Sequence, residues 1–190
     1  MPGPTRGETT IVTDDEHPRP GTTVEKLGRL RPLFEGGVVT AGNASGINDG
    51  AAALVLMRRS EAEKRGLTPL GIIRGHATHA HEPAWFTTAP GPAISKLLEK
   101  VGWKKDEVGL FEINEAFAVV TMAAMRDLDV SHDKVNVHGG ACALGHPIGA
   151  SGTRVLVTLL YEMQKRDAKK GLATLCIGGG MGIAMCLERD

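Results

Sequence analysis

Residues 172–189 read LATLCIGGGMGIAMCLER, two apolar runs separated only by Gly178, Gly179 and Gly180. So short a connection excludes a crossover, and the two runs have to be antiparallel neighbours in one sheet. Further apolar runs lie upstream, at Ala51–Met57, read as a buried strand, at 69–79 and at 108–113. Segments with helical spacing fall between them. Pro90–Val101 turns Ile94, Leu97 and Leu98 inward, 116–128 reads AFAVVTMAAMRDL, and 151–166 forms a long helix. Ser60 caps a short helix with Glu63 as its capping-box partner, and Gly66 ends it. The alternation predicts an α/β fold, a mixed five-stranded sheet with helices on both faces, preceded by an extended arm.

The arm is residues 1–37, polar and carrying Pro2, Pro4, Pro18, Pro20 and Pro32, with helical character only over Thr23–Phe34. The remaining residues, 38–190, form one domain. With 22 basic and 22 acidic residues the net charge is zero, which favours neither nucleic acid nor an anionic membrane as partner. No apolar run approaches the roughly 18 residues that would span a bilayer. Three cysteines without a CxxC pair suit a reducing compartment, so the expected localisation is cytoplasmic.

Chemistry is expected where the strands end. The stretch 139–152, GGACALGHPIGASG, passes from a strand-like VNVH into a helix and places His146 on a glycine turn. A phosphate-binding P-loop would need Lys and Ser or Thr after the second glycine, and here His146 and Pro147 follow Gly145. Asn114 and Glu115 follow the strand 108–113, where an open α/β sheet presents ligand groups, although a helix N-cap is the other meaning of such an Asn. The small-residue loop 41–49 is readable as a connection closed by its own Asn and Ser side chains. His76, His79 and His81 lack the carboxylates or cysteines of a metal site, and no metal is expected. Cys142 and Cys186 read as inert core thiols. Cys176 differs, because it abuts a glycine turn whose amides are free to donate.

The segments NASGINDGAA, NEAFA, GGACALGHPIGASGTR and CIGGGMGIAMC, in this order, resemble the C-terminal half of a thiolase of the short-chain acetyl-CoA acetyltransferase type, preceded by part of its loop domain. The resemblance covers nearly the whole chain. It implies that His146 activates a nucleophilic cysteine and helps form an oxyanion hole, and that Asn114 holds a water at that hole. It further implies that Cys176 moves protons at the acetyl α-carbon, and that Gly178 offers a backbone N–H to a second oxyanion site. Ser45, Ala44 and Ala41 match the loop that receives the pantetheine arm of CoA, with Ala116 and Phe117 flanking the tunnel. Arg19 and Leu30 fall where the loop domain meets the CoA nucleotide, and Phe86 stands where related enzymes often carry Met.

The activity so implied is the reversible Claisen condensation of two acetyl-CoA to acetoacetyl-CoA plus CoA. No cofactor is expected, since the CoA thioester is substrate. The family's nucleophilic cysteine lies in its N-terminal half, and none of the three cysteines here occupies that motif. The expected partners are therefore an N-terminal thiolase half and, when complete, further copies in a homo-oligomer, and the chain alone is expected to be inactive. The alternative is a non-catalytic acyl-CoA-binding or scaffold module with the same fold. A decarboxylating ketoacyl synthase would want a second His where Asn114 stands.

Overall fold

Four strands make one mixed sheet in the order β1–β4–β3–β2, in a computed structural model that describes Thr9, residues 11–15 and residues 17–190. The strands are β1 (Ile72–Ala80), β2 (Leu110–Ile113), β3 (Lys170–Ile177) and β4 (Met181–Glu188). The two C-terminal runs pair antiparallel, with Thr174 opposite Ala184 and Cys176 opposite Gly182. β1 adds antiparallel to β4, and β2 adds parallel to β3 with Ile113 opposite Thr174. The turn between β3 and β4 needs glycine. Gly179 and Gly180 sit at φ +91° and +85°, and a Cβ on Gly180 would run into the His81 carbonyl. The Gly180 carbonyl in turn accepts the His81 N–H at 3.0 Å.

Strand alternation divides the core into two layers. Leu172 and Cys176 of β3, Phe111 and Ile113 of β2, and Ala184 and Cys186 of β4 face α3 (Pro90–Val101) and α4 (Ala118–Leu128). Leu110, Ala173 and Leu187 face α6 (Ser151–Lys165), where Val155, Leu159, Leu160 and Met163 close the other side. Helices thus cover both faces, as the alternation predicts. Residues 90–101 are helical throughout with Ile94, Leu97 and Leu98 buried, and Gly102 at φ +70° stops the helix in the left-handed conformation.

Four expectations need correction. The sheet has four strands rather than five, because Ala51–Met57 is extended but pairs with no strand among the described residues. It is not buried either. Leu54 packs on the α6 layer, whereas Val55 is 87% and Leu56 72% exposed. Among the described residues, helical structure in the arm is confined to α1 (Val24–Leu27), since Leu30 and Leu33 remain exposed and find too little surface to bury a longer stripe. Finally, α2 (Arg59–Lys64) starts after Arg58 without a side-chain cap, so Ser60 and Glu63 form no capping box. The pairs Arg59–Glu63 and Arg65–Glu61 brace that helix one turn apart instead.

Candidate active site

β2 delivers Asn114 one residue beyond its last paired position, with its N–H donated to the Thr174 carbonyl at 3.0 Å and 1% of its surface exposed. It is not a helix cap, because α4 begins at Ala118 behind an extended Phe117. The strand end is clamped by Asn136, whose side chain accepts the Ile113 N–H and donates to the Ile113 carbonyl, both at 2.8 Å. Glu115 likewise lies outside the first turn of α4. Its carboxylate accepts from Asn136 Nδ2 at 3.0 Å and from the Cys142 N–H at 3.1 Å, at the start of α5 (Ala141–Leu144). A Cβ on Gly140 would occupy the space of the Glu115 carboxyl group and push it from its two donors.

These bonds bring the glycine loop beside Asn114. Gly145 turns the chain at φ +90°, and the His146 N–H then donates to the Gly46 carbonyl at 2.9 Å, with Asn48 Oδ1 at 3.3 Å. The imidazole Nδ1 lies 2.6 Å from Ser151 Oγ, and that hydroxyl donates to the Pro147 carbonyl at 3.1 Å. A hydroxyl has one proton to give. If that proton goes to Pro147, Ser151 accepts from an Nδ1–H and the His146 lone pair lies on Nε2. There Asn114 Nδ2 approaches it at 3.5 Å, while Asn114 Oδ1 receives Arg154 Nη2, also at 3.5 Å. Burial first, and the positive charge of Arg154 second, lower the His146 pKa below its ordinary value. A neutral imidazole with a free Nε2 is a base ready to take a proton.

The loop around Ser45 is not closed on itself alone. The Ser45 N–H and Oγ both donate to the Ala116 carbonyl at 3.1 Å, Ala44 bridges to Phe117, and Ile47 bridges to His146. Ser45, Ala44, Ala116, Phe117 and His146 thus converge around one junction. Phe86 meets Phe117 edge-on at 6.3 Å between ring centroids. Leu30, with Leu27, lies over Gly42, where a Cβ would collide with both leucines. Ala41 sits exposed in the preceding turn. Arg19 lines a cavity of about 440 Å³ with Asp14, Asp15, His17 and Asn48, adjoining the amide of His146 through Asn48.

Cys176 is buried on the α3/α4 side near the end of β3, and burial raises its thiol pKa. It shares a core cluster with Ala116 and Phe117 but makes no hydrogen bond to Asn114 or His146. Gly178 lies exposed in the following turn with open space around it. Burial pushes Cys186 up to about 12, and burial with the neighbouring Glu115 pushes Cys142 up to about 11, so both are protonated at neutral pH. Sequence reasoning missed Ser151, Arg154 and Glu112. A signal existed for Glu112, a carboxyl 3% exposed inside an otherwise apolar strand. None existed for the pairing of Ser151 with His146, which depends on the curvature of the loop between them.

The family model for the thiolase C-terminal domain matches residues 67–189, and that for the thiolase N-terminal domain matches residues 2–60. The chain belongs to the thiolase family. An acetyl-CoA acetyltransferase of Thiocystis violacea is 57% identical over 185 residues, covering 97% of this chain and 47% of that protein. The crystal structure of the Bacillus anthracis acetyl-CoA acetyltransferase superposes with a TM-score of 0.90 at 47% identity, again over 97% of this chain and 47% of that one. The human mitochondrial 3-ketoacyl-CoA thiolase in complex with CoA superposes with a TM-score of 0.84 at 39% identity, covering 94% and 46%. The chain therefore spans about half the length of the relatives it matches.

Proposed function

We propose that this chain supplies the acid/base half of a short-chain thiolase site, acting on acetyl-CoA and acetoacetyl-CoA together with an N-terminal thiolase half. The observation that supports the reading is the junction of Asn114 and His146, with Ser151 Oγ against the imidazole Nδ1 and Asn114 Nδ2 toward Nε2. In the first half-reaction, Nε2 takes the proton of a cysteine thiol from the partner half. The sulfur then attacks the acetyl-CoA carbonyl, and as the acetyl group is transferred the CoA sulfur leaves with the proton of the Cys176 thiol, so that CoA departs as thiol and Cys176 is left as thiolate. The resulting Nε2–H and a water held by Asn114 Nδ2 face the oxyanion that forms in transit. In the second half-reaction the Cys176 thiolate removes a proton from the α-carbon of a second acetyl-CoA. That carbon attacks the acetylated cysteine, acetoacetyl-CoA departs, and the partner sulfur leaves as thiolate and takes back the proton held on His146 Nε2. Gly178 offers its N–H to the enolate oxygen. Because burial holds Cys176 protonated, its resting state suits proton donation in the thiolysis direction.

On this reading Ser45, Ala44, Ala41, Ala116 and Phe117 receive the pantetheine arm, and Leu30 and Arg19 lie toward the nucleotide. Residues 1–37 are the arm and 38–190 the C-terminal thiolase domain. Residues 43–47, although matched by the N-terminal family model, are tied to the second unit through Ala116, Ala118 and His146.

The test is complementation. Mixing the chain with the N-terminal half of the Thiocystis violacea relative should give CoA-dependent cleavage of acetoacetyl-CoA, and His146→Ala or Cys176→Ala should lower it roughly 10²- to 10⁴-fold. Cleavage that survived both substitutions would refute the site assignment. Binding of acetyl-CoA without any turnover would point instead to the acyl-CoA-binding module.

A further inference from the structure

Arg154 lies in the first turn of α6, and two of its guanidinium nitrogens, Nε and Nη1, are buried without a hydrogen-bond partner among the described residues. The third, Nη2, reaches Asn114 Oδ1 at 3.5 Å. A buried cation so sparsely hydrogen-bonded is unfavourable unless something offsets it. The offset is Glu112 of β2, which lies on the α6 side of the sheet like Leu110 and feels the charge of Arg154 without closing an ion pair with it.

We propose that Arg154 is a positioning residue for the Asn114–His146 pair: Nη2 turns the Asn114 amide so that Nδ2 faces His146 Nε2, and the buried carboxyl group of Glu112 is its counter-charge. An amide is free to present either end to its surroundings. A guanidinium on the Oδ1 side allows only one choice, and that choice places the donor toward the imidazole. The charged neighbours agree in sign. Arg154 is the charge that bears on His146, while Ser151, Asn114 and Asn48, which also touch it, are neutral. His17, from the arm, reaches the adjacent Gly46 and the Cys142 carbonyl. Glu112 faces Arg154, Glu115 and Glu162; burial raises its pKa to about 7 and Arg154 opposes that rise.

The inference rests on the proposed role of His146, but it is tested without turnover, so its failure and that of complementation are separable. With His and Asn selectively labelled, NMR can follow the His146 ring and the Asn114 side-chain amide from about pH 5 to 9, even in a self-associated chain. Wild type should show the Nδ1–H tautomer. Arg154→Gln should raise the imidazolium-to-imidazole ratio at fixed pH roughly three- to tenfold and displace the Asn114 amide signals. Arg154→Lys, which keeps the charge and loses the fork, should hold the ratio within about twofold and still displace the amide. The wild-type amide should also report an inflection near pH 7 that Glu112→Gln abolishes. A folded Arg154→Gln chain with unchanged His146 ratio and Asn114 signals would overturn the proposal. Should that variant not fold, a wild-type Asn114 amide with no inflection, or one that persists in Glu112→Gln, would overturn it equally.

Discussion

At neutral pH two titratable side chains of the candidate site hold protonation states their surroundings impose. His146 is kept neutral by burial and by Arg154, and Glu112 is kept half-protonated near pH 7 by burial. Their consequences for stability have opposite signs. For His146 the unfolded chain binds the proton more readily, so stability rises with pH between the lowered folded pKa and 6.5. For Glu112, between pH 4.5 and about 7 the native state keeps a proton that the unfolded chain has released. Stability therefore falls as pH rises through that window, by about 3 kcal/mol in all. Glu112→Gln removes that loss. Denaturant unfolding of wild type and variant at pH 5 and pH 8 should show the variant gaining up to about 3 kcal/mol relative to wild type at the higher pH. A gap that does not widen with pH would sink the assignment of Glu112 as the titrating group. At this scale the sequence was legible where a polar residue interrupts an apolar or glycine-rich context, as Asn114 and His146 do. Glu112 satisfied the same rule and went unread, because its neighbours Phe111 and Ile113 dominate the run as a buried strand.

Elements with their own start and stop chemistry were equally legible. Pro90 and Gly102 bracket α3, and the glycine triplet fixes the β3–β4 pair, so local sequence was enough for both. Ala51–Met57 shows where that logic ends. Its alternation is that of a strand, with Leu54 inward and Val55 outward, but a strand also needs a neighbour, and apolar periodicity cannot supply one. The joining of the Asn114 and His146 loops was likewise invisible, because it runs through the Glu115 carboxylate and two donors more than 20 residues away in sequence. That clamp makes its own prediction. Glu115→Gln replaces an acceptor oxygen by a donor facing either Asn136 Nδ2 or the Cys142 N–H, leaving a partly buried donor opposed. It should cost about 1–3 kcal/mol in urea unfolding and speed hydrogen exchange at the amides of Cys142 and His146, with those of β3 and β4 unchanged. Uniform acceleration across the sheet would mean that Glu115 supports the whole domain rather than the junction.

The molecule as a whole leaves apolar surface uncovered around that junction. Ile47, paired to His146, and Ile148, two residues beyond it, are both exposed, as are Val55 and Leu56. Packed against α6 on one side and bare on the other, with backbone groups unpaired to any strand among the described residues, that segment is shaped to receive another sheet. Its residues fall within the match to the thiolase N-terminal domain, and the relatives are about twice as long as this chain. Under the proposed function, an N-terminal half would cover this surface. Light scattering of the chain alone should give a mass above the monomer that grows with concentration, since an unpaired segment and exposed apolar side chains both favour self-association. Adding the N-terminal half of the Thiocystis violacea relative should replace that association with a single complex of fixed stoichiometry. Val55→Lys with Leu56→Asp should suppress both the self-association and the complex while leaving the far-UV spectrum intact, because both side chains are exposed. A chain that stayed monomeric at all concentrations, or whose complex formed undiminished in the double variant, would place the partner's surface elsewhere.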